Sequence, residues 1–248
     1  RPSGSYQGSM TDEFMQAGGN EMDPILAGFD DEVTQNEALF ARMKALYDVR
    51  TTLGLNAEQI RLVETYYEGA VRYGAAIDAA SKVRLAEINQ DLAKLFAAFN
   101  QNMLKDEEEQ TIILESAADL DGVPESMIAA YAAAATERGH AGMWLISNTR
   151  SSVEPCLVFA TRRDLREKAW RMFIMRGDTD NGNNNTATIA AILKARQERA
   201  KLLGHATHAH WSLSYNMAKT PEAAMDLMTR VWAAATARVR EEVADMQA

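Results

Sequence analysis

From Asp31 onward, apolar residues return every three or four positions almost without interruption, the spacing that lays one apolar stripe along an α-helix. It predicts a first helix over residues 31–53, with Val33, Leu39, Phe40, Met43, Leu46 and Tyr47 on one side and Gly54 as a left-handed stop. Asn56 followed by Gln59 has the spacing of a capping box and opens a second helix to about residue 77, with Ile60, Val63, Tyr66, Tyr67 and Val71 as its apolar face. The third helix is the clearest. Leu85, Ile88, Leu92, Leu95, Phe96, Phe99 and Met103 form a continuous stripe, opposite Lys82, Arg84, Glu87, Gln90, Asp91 and Lys94. It ends in the acidic run 105–109, where the helix dipole disfavours negative charge, and that run reads as a solvated end rather than a cation site.

Short β-branched runs interrupt the helices. Residues 111–114 and 143–146 have the length of small strands, and an Ala-rich helix lies between them from Pro124 to its stop at Gly139. Thr161 is expected to cap a helix reaching Arg176, with Leu165, Ala169, Trp170 and Phe173 inward. A polar loop over 177–185, a helix over 186–203 stopped by Gly204, and a last helix opened by Thr220-Pro221 complete the pattern. The fold class is therefore mainly α: a multi-helix domain with a small two- or three-stranded β ribbon. A ribbon of that size is marginal alone and must lean on the helices.

The apolar face of the last helix, with Met225, Leu227, Met228, Val231, Trp232, Val239 and Val243, continues nearly to Ala248 without a C-cap, so the expectation is a helix cut short within a longer protein. Residues 1–22 show no periodicity and read as a tag or disordered leader, leaving 23–248 as the helical domain.

Composition narrows the function classes. With 47% hydrophobic residues the chain is too apolar for intrinsic disorder. A formal net charge of −9 argues against nucleic acid or an anionic membrane as the main partner. No apolar run approaches the roughly 18 residues of a spanning helix. The single cysteine, Cys156, cannot form an internal disulfide, which makes a reducing cytoplasm the expected setting.

Few residues carry candidate chemistry. His205, His208 and His210 form a histidine cluster that could in principle hold zinc or nickel. On a helix, however, His205 and His208 would share a face that excludes His210, and no His is followed directly by Glu. The favoured reading is a polar loop and helix start with one His against Trp211. The spacing Asp178-x-Asp180-x-Gly182 resembles a calcium loop but lacks the ligand at position 5 and the Glu at position 12. Cys156 follows Pro155 in an apolar stretch and reads as a buried hydrophobe. The serines at 151 and 152 lie outside any nucleophile elbow. From these residues no catalytic or metal-binding position is assigned, and substrate-binding residues remain unassigned.

Longer runs carry a resemblance. They are Thr34-Gln35-Asn36-Glu37-Ala38-Leu39-Phe40, Arg84-Leu85-Ala86-Glu87-Ile88-Asn89-Gln90, Leu145-Ile146-Ser147-Asn148-Thr149-Arg150-Ser151-Ser152, Arg162-Arg163-Asp164-Leu165-Arg166-Glu167-Lys168, Arg199-Ala200-Lys201-Leu202-Leu203-Gly204-His205 and Ala218-Lys219-Thr220-Pro221-Glu222. In this order the chain resembles the N-terminal part of bacterial dipeptidyl carboxypeptidases, members of the thimet oligopeptidase family of zinc metallopeptidases. The resemblance implies a large helical protein whose deep channel admits short peptides. It also implies a zinc ion held by a His-Glu-x-x-His helix and a further Glu, with the motif's Glu activating water. No position of this chain matches that motif.

The leading expectation is thus the channel-wall helical part of a peptidyl-dipeptidase-like zinc metallopeptidase, inactive as a zinc peptidase by itself. Zinc and short peptides would belong to the intact parent. The alternatives are a binding or self-associating module forming homo-oligomers through exposed apolar helix faces, and a separate hydrolase activity using His205, His208 and His210.

Overall fold

Asn36 divides the helix expected over 31–53. Its side-chain oxygen accepts a hydrogen bond from Leu39 N at 2.9 Å, the mark of an N-cap. The computed structural model describes residues 13–248, and in it helix α1 runs Glu13–Thr34 and helix α2 Glu37–Val49. Residues 13–22 are therefore helical where no regular structure was expected. Gly18 and Gly19 hide that stretch, because glycine weakens the helical signal. The rest of the expected leader, 1–12, lies outside the described residues.

Helix α3 (Ala57–Arg72) opens on the expected capping box: Asn56 Oδ1 accepts from Gln59 N at 2.9 Å, and Gln59 Oε1 accepts from Asn56 N at 3.0 Å. Helix α4 (Ala79–Glu109) buries Leu85, Ile88 and Leu92 from the predicted stripe. Strand β1 (Thr111–Leu114), a 3-10 turn (Ala117–Leu120) and helix α5 (Glu125–Glu137) follow. Strand β2 (Trp144–Ser147) pairs antiparallel with β1, Thr111 opposite Ser147 and Leu114 opposite Trp144. The described residues add no third strand, so the fold is mainly α with a two-stranded ribbon.

Helix α6 (Arg150–Phe159) is the main element missed in the sequence. Pro155 inside it normally argues against a helix, because it lacks a donor and crowds the preceding turn. Burial of Ser152, Val153 and Cys156 holds the helix in place regardless. Helix α7 (Arg163–Ile174) has Arg162 as its N-cap, not Thr161. The Thr161 hydroxyl instead donates to Asp121 Oδ2, and its N–H donates to Asp121 O, both at 2.9 Å. Helices α8 (Thr186–Leu202), α9 (His208–Leu213) and α10 (Pro221–Gln247) complete the chain.

The chain forms two compact units, one running up to Ala93 and again from Leu193 onward, the other covering Lys94–Ile192. In the second, Ile112 and Ile146 of the ribbon pack with Tyr131, Val153, Cys156 and Leu165. Tyr131 donates to Ser152 O at 2.7 Å, and burial pushes its phenol up to about 12. Gly122, at φ +85°, takes the turn beneath this core. In the first unit, Gly74 at φ +97° lies against Leu85. Arg84 of α4 clasps Glu198 of α8 through Nε at 2.7 Å and Nη2 at 3.0 Å, a two-pronged geometry that fixes the pairing of the two helices. Helix α10 buries none of its residues, and its apolar positions from Met225 to Met246 are exposed. No helix among the described residues is long and apolar enough to cross a membrane.

Candidate functional site

The histidine cluster folds much as its spacing suggests. Gly204 at φ +80° ends α8, and Thr207 caps α9 by accepting from His210 N. His208 lies against Trp211 with ring centroids 5.4 Å apart. His210 Nδ1 is 2.8 Å from the Thr207 hydroxyl, and its Nε2 is 3.7 Å from Glu222 Oε1. The three imidazoles do not converge on one point: among the described residues, no three His, Cys, Asp or Glu side chains are grouped to hold a metal ion.

His208 Nδ1 is buried without a partner among the described residues. Burial first, then the Arg196 and Arg199 charges, hold the His208 pKa below its ordinary value. The folded chain therefore keeps His208 neutral at a pH where the unfolded chain already binds a proton, near the usual value of about 6.5. This contribution to stability is present above that pH and is lost as the pH falls below it. Urea unfolding at pH 7 and pH 5 should show a lower midpoint at pH 5, with a smaller drop in His208→Gln. An equal drop in both proteins would contradict the account.

Trp211 is the centre of a brace that no local pattern reveals. Its indole donates to Arg72 O at 3.1 Å, and Arg72 Nη1 donates back to Trp211 O at 2.8 Å and to Ser214 Oγ at 2.7 Å. The Arg72 and Arg199 guanidinium carbons sit 4.4 and 4.6 Å from the Trp211 ring centroid. Stacked guanidinium groups on an indole are favourable, more so when partly desolvated. The brace fastens α3 to α9 across 139 residues of sequence. Its polar groups are spent on one another: the Ser214 hydroxyl accepts from Arg72 and donates to Trp211 O at 2.8 Å.

In the acidic run at the end of α4, Lys105, Glu108 and Glu109 are exposed as expected, but one residue departs from that reading. Asp106 is fully buried. Its Oδ2 accepts from Gly177 N at 2.6 Å, and its Oδ1 accepts from Asn181 Nδ2 at 2.6 Å and Asn183 Nδ2 at 3.0 Å. Burial alone would push this carboxyl up, but the three donors more than offset it and hold the pKa below the ordinary value. The neighbouring charges are met as well. Arg176 Nη1 pairs with the Glu107 carboxylate at 3.1 Å, and Arg138 Nη1 donates to the backbone carbonyl of Glu108 at 2.7 Å, which places cations where the helix dipole favours them. In the loop from Gly177 to Asn185 the asparagines at 181, 183 and 185 turn inward while Asp178 and Asp180 are exposed, an arrangement opposite to that of a calcium loop. Cys156 is buried and its thiol pKa is raised by burial, which suits a core residue and not a nucleophile. Ser152 Oγ accepts from Ser147 N at 3.0 Å, a structural bond.

Among the concave surfaces of the described residues, one is lined mainly by apolar and aromatic side chains. In the unit ending at Ala93 and resuming at Leu193, a cavity of about 490 Å³ opens among α1, α2, α3 and Tyr215. Its floor is Gly69 and Ala70, its walls Val33, Leu39 and Met43, and its rim Tyr66, Tyr73 and Tyr215. Arg72 is the charged residue in its lining.

Peptidase family M3 matches residues 157–248. The chain is 34% identical over 238 residues to a dipeptidyl carboxypeptidase of Escherichia coli, covering 96% of this chain and 35% of that protein. It is 29% identical to the organellar oligopeptidase A of Arabidopsis thaliana, covering 94% of this chain and 30% of the relative. Oligopeptidase A of Escherichia coli is 28% identical, covering 91% and 34% respectively. The chain belongs to peptidase family M3. It spans about a third of the length of the curated relatives it matches.

Family M3 is a family of zinc metallopeptidases, and the fit of zinc to this M3 chain can be judged from its donors. His208 lies against Trp211 and is within the influence of the Arg196 and Arg199 charges, which disfavour a dication there. His210 already meets Thr207. No described group supplies the three ligands of a catalytic zinc. The described residues do not fit the ion.

Proposed function

We propose that this chain is the helical, non-catalytic part of a peptidyl-dipeptidase-type metallopeptidase, supplying walls that limit the size of peptide reaching a zinc centre built from other residues. The observation that carries the reading is the 34% identity to a dipeptidyl carboxypeptidase over 96% of the chain, supported by histidines that are not grouped around one point among the described residues. Short peptides are the substrates on this reading, and the cytoplasm is the setting, consistent with a lone buried Cys156.

The assay is direct. Purified chain with added zinc should release no C-terminal dipeptide from a short N-blocked peptide. Release that is blocked by a chelator but survives joint replacement of His205, His208 and His210 by alanine would overturn the reading. Release lost in that triple variant would favour a hydrolase activity of the histidine cluster instead.

A second reading rests on α10. Its exposed Met225, Leu227, Met228, Val231 and Trp232 form an apolar face of the kind that acquires a partner. In the absence of other protein, self-association through this face gives a homo-oligomer, detectable by light scattering at tens of micromolar, roughly the range where weak dimers form. A monomer throughout that range would remove it.

A further inference from the structure

The α3 helix carries a glycine that its own chain does not explain. Gly69 lies in the helix interior, where glycine costs about 1 kcal/mol relative to alanine. Its φ is not positive, and a Cβ built there meets nothing within 4 Å. Neither a turn nor a close neighbour requires the missing side chain. What its absence does is deepen the floor of the cavity rimmed by Tyr66, Tyr73 and Tyr215.

The charge in the lining is equally specific. A guanidinium has five N–H donors. Arg72 uses three of them, toward Trp211 O, Ser214 Oγ and Ser212 O. Two are left without a partner among the described residues, and no carboxylate lines the cavity. The Trp211 brace fixes the guanidinium, and Arg72 is the cation among the residues lining the apolar hollow. About 490 Å³ is within the usual range of roughly 300–1,000 Å³ for small-molecule sites.

We propose that this cavity binds a small organic carboxylate with an apolar body, the body over Gly69 among the tyrosines and the carboxylate against Arg72. Two sources share that chemistry, a medium-chain fatty acid and an apolar amino-acid residue with a free carboxylate. The proposal does not depend on the peptidase reading, since the site lies wholly within one compact unit.

Calorimetric titration of the chain with octanoate and with N-acetyl-phenylalaninate distinguishes the sources, with N-acetyl-phenylalaninamide and octanamide as uncharged controls. At least one carboxylate should bind saturably, and its amide at least about tenfold more weakly. Gly69→Leu should abolish binding, and Gly69→Ala should weaken it about fivefold, with neither variant melting below the parent chain because both residues favour helix over glycine. No carboxylate binding up to about 10 mM, the weak edge of specific small-ligand affinity, would overturn the proposal. So would equal binding of acid and amide, or unchanged affinity in Gly69→Leu.

Discussion

Asp106→Ala is expected to cost about 3 kcal/mol or more of folding stability. The loss has two parts. The Gly177 N–H and the Asn181 and Asn183 amides lose their common acceptor, and each buried donor left without one carries its own desolvation penalty. The loop 177–185 also loses the anchor that holds it to the end of α4. Urea denaturation should show the lower midpoint, and hydrogen exchange should show faster exchange confined first to that loop. A midpoint within about 0.5 kcal/mol of the parent, the usual scatter for surface sites, would refute the anchoring role. The same carboxylate sets an acid limit. Its folded pKa is depressed, so its contribution is present above the unfolded value of about 4 and is lost as the pH falls through the lower folded value. The parent chain should lose stability in that acid range, and Asp106→Asn should lose less.

Gly122→Ala should be comparably severe for a different reason. At φ +85° an L-residue is strained by about 1–2 kcal/mol. In addition, the new Cβ would lie 2.3 Å from Phe159 O, a backbone atom that cannot swing aside. Relief requires moving the end of α6 away from the turn, which breaks the pair of bonds between Thr161 and Asp121. The total is expected at about 3–5 kcal/mol, in the tail of single-substitution effects. Gly54→Ala isolates the clash. Gly54 also has a positive φ, +67°, but nothing lies within 4 Å of its Cβ position, so about 1 kcal/mol should be lost there. Equal losses at the two positions would show that strain alone, and not the contact with Phe159, governs Gly122.

Much of the helical pattern was legible because it depends on near neighbours. The stripe from Leu85 onward, the Asn56–Gln59 capping box and the Thr220-Pro221 start are all written within a few residues, and all three form as expected. The errors arise where a local sign was ambiguous. Asn36 reads as a mid-helix residue until its side chain is seen to accept from Leu39 N. Pro155 reads as a helix breaker until the burial of Val153 and Cys156 is known. Asp106 reads as solvated with the rest of the run because the groups that bond it, Gly177 N and the amides of Asn181 and Asn183, are distant in sequence. The histidine cluster was read correctly as a loop and helix start against Trp211. The Arg72–Trp211 brace was invisible, because nothing in either segment specifies a partner 139 residues away.

Helix α10 has a thermodynamic consequence. An isolated helix in water is marginal, and tertiary packing normally supplies most of its stability. Since α10 buries no side chain, little of the cooperative energy that holds the first unit together reaches past Pro221. A molecule that settled on Met228 and Trp232 would therefore also stabilise the helix that carries them.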